Sequence, residues 1–290
     1  MLSQTGCELL TPSRRDYDLL EQAAVRALFS DLKPDIVFNL AGYVGGILAN
    51  RDFPADFCYR NLFTVSTMLH EAHRAEVKKF IGVMGGCSYP GTAPSPIAET
   101  ALWSGYPQPE SAPYSLAKAM GAELAKAYHK QYGMPAITLV PGNIYGPWDN
   151  FDLQSSHVIP ALIRKYREAR SERRDEVVAW GTGAPKRDFV YIEDVCRAML
   201  LAAERYDAPE IMNISSGTRV TIKELVELIA ELTGYRGSIT WDATKPDGQM
   251  DKGFDVSRMQ EFLGYRCETP LREGLQRTIA WYEDHAAIAA

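Results

Sequence analysis

The chain has 290 residues, 46% of them hydrophobic and 23% charged, with a net charge of −6. This is the composition of a globular protein with one large domain, or a main domain and a smaller companion. The acidic balance disfavours a nucleic-acid or anionic-membrane surface, so phosphate recognition is to be sought in single Arg and Lys residues. No apolar run reaches the roughly 18 residues of a membrane span, and the N-terminal residues lack the order of a secretory signal. Five scattered cysteines (Cys7, Cys58, Cys87, Cys196, Cys267) give neither a disulfide framework nor a zinc site, and His70 and His73 have no second ligand pair. The expectations are a cytoplasmic setting with reduced thiols, and no metal, nucleic acid or membrane partner.

Short apolar runs alternate with amphipathic stretches, the rhythm of a parallel sheet with crossover helices. Residues 1–6 read as the end of a helix, and residues 8–11 (ELLT) as a strand. The usual opening of a dinucleotide-binding sheet is a strand, a glycine-rich turn and a helix. None stands before ELLT, so a doubly wound, Rossmann-like sheet is expected here without its first strand and with two open edges. Arg14 and Arg15 follow ELLT, where Arg accommodates the extra phosphate of NADP and an acid would select NAD. A helix is predicted over 19–30 and a buried strand over 35–41 (DIVFNLA). Gly42, Gly45 and Gly46 come next, and with no clear helix start after them they are not read as a phosphate loop. Helices over 59–75 and 115–132, the latter stopped by Gly133, alternate with strands over 79–84 and 136–141. Beyond Gly146-Pro147 the loops lengthen. Strands over 176–180 and 238–241 and amphipathic helices over 221–233 and 270–285 suggest a mixed α/β region, and 167–175 reads as a solvated loop or helix end. The division is a dinucleotide-binding domain over 1–150, to which 181–217 return, and a smaller α/β substrate domain over 151–290.

The central chemical signal is Tyr114-x-x-x-Lys118. Four apart on a helix, the side chains share one face. A Tyr titrating near its ordinary value of about 10 is a poor acid–base group at neutral pH, and an ammonium one turn away favours the phenolate. The expectation is that Lys118 lowers the Tyr114 pKa and also reaches a nicotinamide ribose. Around this pair, predicted strands end in Asn39-Leu40-Ala41-Gly42, in Gly85-Gly86-Cys87-Ser88-Tyr89-Pro90 and in Pro141-Gly142-Asn143-Ile144-Tyr145-Gly146-Pro147, and a helix carries Asn61. All would line the carboxyl edge of one sheet, where ligands bind.

In this order the pieces resemble the extended short-chain dehydrogenases of the epimerase/dehydratase group, which act on nucleotide sugars. Arg187-Asp188-Phe189-Val190-Tyr191-Ile192-Glu193-Asp194-Val195 and Asp255-Val256-Ser257-Arg258 extend the resemblance downstream. Val44-Gly45-Gly46-Ile47-Leu48-Ala49-Asn50, Pro54-Ala55-Asp56-Phe57, Trp148-Asp149-Asn150-Phe151, His157-Val158-Ile159-Pro160-Ala161-Leu162 and Lys245-Pro246-Asp247-Gly248 look like the GDP-L-fucose synthase family. That family epimerises C3 and C5 of GDP-4-keto-6-deoxy-mannose and then reduces C4 with NADPH. The resemblance implies Cys87 and His157 as the epimerisation acid–base pair, and Tyr114 as proton donor to the C4 oxygen with Lys118 beside it. It further implies NADP(H) contacts at Arg14, Arg15, Leu40, Ala41, Gly42, Asn61, Tyr114, Lys118, Pro141, Asn143 and Ile144. GDP-sugar contacts fall on Ser88, Asn143, His157, Lys165, Trp180 and Arg187, and a homodimer is expected. Besides the opening loop, one feature departs from the pattern: the family carries a catalytic Ser two positions before the Cys, and here that position is Gly85, followed by Gly86. A related NAD(P)-dependent GDP-sugar 4-reductase or epimerase, for instance on a heptose, and a non-catalytic nucleotide-sugar-binding homologue remain open.

Overall fold

The computed structural model describes residues 6–153, 155–245 and 247–289. The predicted helix end over 1–6 therefore lies almost wholly outside the described residues, as does Pro246. In chain order the elements are α1 (Gln22–Leu32), β1 (Ile36–Asn39), α2 (Ile47–Asp52), α3 (Pro54–Arg74), β2 (Lys79–Val83), α4 (Ala112–Tyr132), β3 (Ala136–Pro141) and β4 (Asn143–Tyr145). There follow α5 (Val158–Ser171), β5 (Glu176–Trp180), β6 (Lys186–Tyr191), α6 (Ile192–Arg205), β7 (Met212–Ile214), β8 (Arg219–Thr221), α7 (Ile222–Thr233), β9 (Ser238–Asp242), β10 (Asp251–Lys252), α8 (Ser257–Leu263) and α9 (Leu271–Ala289).

The main sheet has the order β1-β2-β3-β7, every pair parallel. Alternation along its strands feeds two cores, because successive side chains leave opposite faces. Phe80 and Ala136 join Val25, Leu28, Phe29, Leu69 and Ala125 of α1, α3 and α4 on one face. Ile81, Ile137 and Leu139 join Val195, Ala198, Met259 and Leu263 of α6 and α8 on the other. Helices on both faces of a parallel sheet make the fold doubly wound. Gly121 allows α4 to press against α3, for a side chain built there would begin 2.8 Å from Val65.

Two expectations fail at the N-terminal end. Residues 8–11 form no strand. Without a ladder partner their backbone groups stay in water, and the chain instead turns at Ser13, whose carbonyl accepts from the Asp16 N–H. The sheet is one continuous run with β1 at its edge, rather than a sheet split to expose two further edges. A six-residue helix, α2, does begin directly after Gly46, contrary to the sequence reading.

The remaining strands form a three-stranded run β10-β6-β4, with β8 antiparallel to β6, and a β5-β9 pair. Their core packs Tyr166, Val177, Phe189, Leu225, Ile229 and Leu275. Helix α7 opens on a full capping box, Thr221 accepting from the Glu224 N–H while Glu224 accepts from Thr221. No helix among the described residues is long and apolar enough to cross a membrane.

Candidate active site

The carboxyl ends of β1, β2 and β3 bring three loops together beside the first turn of α4. After β2, Gly85 and a single 3₁₀ turn (Gly86–Ser88) carry Cys87 toward Tyr114. A side chain built on Gly85 would begin 3.2 Å from Cys87 Sγ and 3.5 Å from Tyr114 Oη, so sulfur and phenol border one small space. Phe57 meets the Tyr114 ring edge-on at 6.2 Å and fixes its plane. Lys118 lies one turn along, but its ammonium turns toward the loop after β1: a side chain on Gly42 would begin 3.4 Å from both Lys118 Nζ and Asn61 Oδ1.

That direction overturns one expectation. Burial pushes the Tyr114 phenol well above its ordinary value and the neighbouring Cys87 adds to the rise, with no offset from Lys118. Burial moves Lys118 the other way, toward easier loss of its proton, with Cys87 opposing. The protein surroundings thus hold Tyr114 as a phenol, the form that donates a proton.

Other predicted residues are placed less directly. The Asn61 amide is used up on backbone: it accepts from Tyr43 N–H at 3.1 Å and donates to the Tyr43 and Phe57 carbonyls at 2.9 and 2.8 Å. It shapes the Leu40–Ala41–Gly42 loop rather than facing the cleft. Ser88 is also corrected. Its buried hydroxyl donates to the Ser115 carbonyl at 3.0 Å, because the 3₁₀ turn rotates it onto α4 and away from Cys87. Pro141 is buried, Asn143 is half-buried and donates to the Asp188 carbonyl at 2.7 Å, and the Ile144 side chain packs into the core. His157 is exposed at the start of α5, and its charged neighbour is Asp149, whose carboxyl is raised by burial and lowered by its bond from Asn150 N–H and by His157. No hydrogen bond or ion pair joins His157 to Cys87.

Arg187, Trp180 and Lys165 gather around β5 and β6. Burial lowers the Arg187 pKa while Asp251 and Asp247 raise it, and its guanidinium donates to the Lys186 and Asp247 carbonyls. Trp180 is 67% exposed, with Lys245 Nζ 5.5 Å from its ring centre. Lys165 donates to the Val178 carbonyl, and burial, with Arg174, lowers its pKa. On the other side of the cleft a groove of about 500 Å³ runs along β1, lined by Arg14, Leu40, Ala41, Gly42 and Arg60. Arg15 does not line it. Arg60, which the sequence reading missed, stacks 4.7 Å over Tyr43 and pairs with Asp56.

Residues 1–215 match the model of the NAD dependent epimerase/dehydratase family. The chain belongs to that family. A probable GDP-L-fucose synthase 1 of Oryza sativa subsp. japonica is 42% identical over 275 residues, 94% of this chain and 84% of that one. Among solved structures, a GDP-L-fucose synthetase from Naegleria fowleri bound to NADP superposes with a TM-score of 0.92 at 25% identity, covering 99% and 89% of the two chains. A GDP-6-OMe-4-keto-L-xylo-heptose reductase from C. jejuni gives 0.91 at 28% identity, covering 98% and 92%. The site suits the nicotinamide cofactor of the epimerase/dehydratase family: glycine at position 42 leaves the Lys118 ammonium approachable, and the groove beside it carries Arg14 and Arg60 for phosphate. Sequence reasoning also missed Phe254, whose ring lies where a Gly86 side chain would begin.

Proposed function

We propose that this protein is an NADPH-dependent epimerase and reductase of a GDP-4-keto-6-deoxy-hexose, converting it to the GDP-L-fucose type of product. The observation that carries the reading is Cys87 and Tyr114 bordering one space at Gly85. A ketone oxygen placed there accepts from the Tyr114 hydroxyl, and its α-carbon faces the Cys87 sulfur. Cys87 removes the α-proton, and His157 returns one on the opposite face, inverting the carbon. NADPH, when bound, supplies a hydride to C4. Tyr114 gives its proton to the C4 oxygen in the same step, and Lys118 holds the cofactor ribose from its position by Gly42. Arg14 and Arg60 favour the extra phosphate of NADP, and the Naegleria structure holds NADP. Arg187 takes the diphosphate and Trp180 the guanine face, as guanidinium–phosphate pairing and stacking require.

The reading includes a cytoplasmic homodimer. Helices α3 and α4 lie side by side, and Tyr59, Phe63, Met120 and Tyr132 on them are exposed. The likeness to the C. jejuni heptose reductase favours a second reading, reduction of a GDP-heptose without epimerisation.

The test is incubation with GDP-4-keto-6-deoxy-mannose and NADPH, following loss of NADPH absorbance and product stereochemistry. GDP-L-fucose is expected. Reduction without inversion would move the assignment to a 4-reductase, and no reaction with GDP still bound would leave a binding protein.

A further inference from the structure

Between β4 and α5 runs a loop over 148–156, and His157 follows it as the last residue before α5. Its own side chains close it. Asn150 donates to Ser155 Oγ at 2.9 Å, and Asp152 accepts from the Ser155 N–H at 3.0 Å and from its hydroxyl at 2.8 Å. Such turns tie a segment to itself, so its aim depends on where it touches the rest of the protein. One end lies beside the catalytic centre. A side chain built on Gly46 would begin 3.8 Å from the Ser155 carbonyl oxygen, and one on Gly45 3.1 Å from Phe57 Cζ, the ring that meets Tyr114 edge-on.

The other end is held by α9. The buried Phe151 ring stacks on Tyr282 at 4.5 Å and on Trp281 at 6.0 Å. Trp148 lies 5.2 Å from Trp281 and 6.0 Å from His285, and His285 stacks on Trp281 at 4.7 Å, 8° from parallel. Among the described residues, Trp281 is the ring of α9 that meets both Trp148 and Phe151. Trp148 has φ 68°, a conformation that a bulky residue keeps only where its surroundings impose it. It is 76% exposed, so little burial holds it there, and its ring contacts are with α9. Helix α9 is in turn pinned to α5, where Arg167 pairs with Glu283 at 2.9 Å and Arg164 donates to the Phe151 carbonyl at 3.3 Å.

We propose that Trp281 is a positioning residue for His157, its ring fixing the Phe151 end of the loop so that the imidazole stays on the substrate face opposite Cys87. The proposal rests on the epimerase–reductase reading. There the Cys87 thiolate takes the α-proton: a C–H bond breaks, an S–H bond forms, and an enolate is left. The His157 imidazolium then gives its proton to the other face of the carbon and becomes neutral, which inverts the centre. With His157 displaced, the S–H hydrogen exchanges with solvent and returns to the face it left, so the carbon exchanges without inverting.

The experiment uses the full chain carrying Trp281→Ala, with Trp281→Phe, His157→Ala and the Trp281→Ala/His157→Ala double variant beside it. GDP-4-keto-6-deoxy-mannose is held at saturation in heavy water without NADPH, and deuterium wash-in and configuration at C3 and C5 are followed separately by NMR. Misplacing a reacting group by about 1 Å costs about a hundredfold, so Trp281→Ala is expected to lower the ratio of inversion to wash-in by about ten- to a hundredfold. Trp281→Phe should keep most of the ratio, because it can still stack on Phe151. His157→Ala should show the low ratio by itself, and adding Trp281→Ala should lower it no further, as expected of a residue that acts through the imidazole. An unchanged ratio in Trp281→Ala, or a further fall in the double variant, would overturn the proposal. If Trp281→Ala melts far below the wild type, Trp281→Leu, which covers Phe151 without an aromatic plane, decides by the same ratio. An unmutated protein that neither exchanges nor inverts the substrate, or a His157→Ala variant that inverts at the wild-type ratio, would instead defeat the functional reading itself.

Discussion

Adjacent glycines in the candidate site should respond to the same substitution in opposite ways. Gly85 has φ −76° and ψ 143°, extended backbone open to any residue. A side chain there begins 3.2 Å from Cys87 Sγ, a contact that a few tenths of an ångström relieves, and 3.5 Å from Tyr114 Oη. Gly85→Ser therefore costs at most about 1 kcal/mol, a shift of about 2–4 °C in melting temperature. Its hydroxyl gains a place next to the ketone; a neutral hydrogen bond contributes roughly 0.5–1.5 kcal/mol, so exchange should rise by up to about tenfold. At Gly86 the added carbon begins 2.5 Å from Phe254 Cζ and 2.9 Å from Cε1. That ring is buried, packed 6.1 Å from Tyr89 and held by the Ile97 bridge, so it has nowhere to move. Overpacking of this kind costs about 1–3 kcal/mol, which lowers the melting temperature by roughly 2–12 °C. The displaced Cys87 should lose deuterium exchange by about a hundredfold, the cost of misplacing a reacting group by about 1 Å. Differential scanning fluorimetry and the exchange assay together give the answer. Equal destabilisation by the two variants, or a Gly86→Ser protein that melts and exchanges like the wild type, would refute the packing argument.

Tyr114→Phe keeps the ring packing on Phe57 and removes only the hydroxyl, so NADPH oxidation should fall by about a hundred- to ten-thousand-fold, and exchange at carbon by about a hundredfold as the enolate oxygen loses a donor; exchange at the wild-type rate would remove Tyr114 from the ketone oxygen. Lys118→Met should weaken NADPH binding yet melt higher than the wild type at neutral pH, because burial disfavours the ammonium. The sign follows from proton binding: the folded state releases its Lys118 proton at lower pH than the unfolded chain, so the wild-type deficit narrows as pH rises between the two values. A gap constant up to strongly alkaline pH would show that burial of charge is not its cause. Phe63→Asp, on the exposed face of α3, should shift sedimentation from dimer to monomer without altering the melting temperature of the monomer by more than a few degrees; an unchanged sedimentation coefficient would remove this face from the interface.

Much of the fold is legible in the sequence where one physical demand dominates. Residues 136–141 and 176–180 have the same limits in sequence and structure because an apolar run meets a clear break at each end. The 115–132 helix in fact begins at Ala112, with Pro113 in the first turn, where its missing N–H is no loss. ELLT carries strand-like residues but has no neighbouring ladder to join, and β-propensity describes fit to a neighbour more than an intrinsic preference. Helix α6 was not foreseen because it starts at Ile192 directly after Tyr191 of β6, with no loop residues to mark the change.

The site was legible to the extent that topology alone assembles it. Tyr114, Lys118, Cys87 and Gly42 all follow from helix spacing and from the rule that strand ends share one edge. Orientation was not legible. Ser88 is one residue from Cys87, yet the 3₁₀ turn sends its hydroxyl to Ser115, and Lys118 is one turn from Tyr114, yet its ammonium lies by Gly42. Phe254 was beyond reach for a different reason. Its place is set by the β10–β6 register just before it and by the hydrogen bonds of Ile97, both pairings between segments remote in sequence. The bridge from Ile97 to Phe254 sets that phenyl ring against Gly86, in the loop that carries Cys87. The two glycines are therefore best understood together: Gly86 makes room for the Phe254 ring, and Gly85 leaves open the space that Cys87 and Tyr114 border.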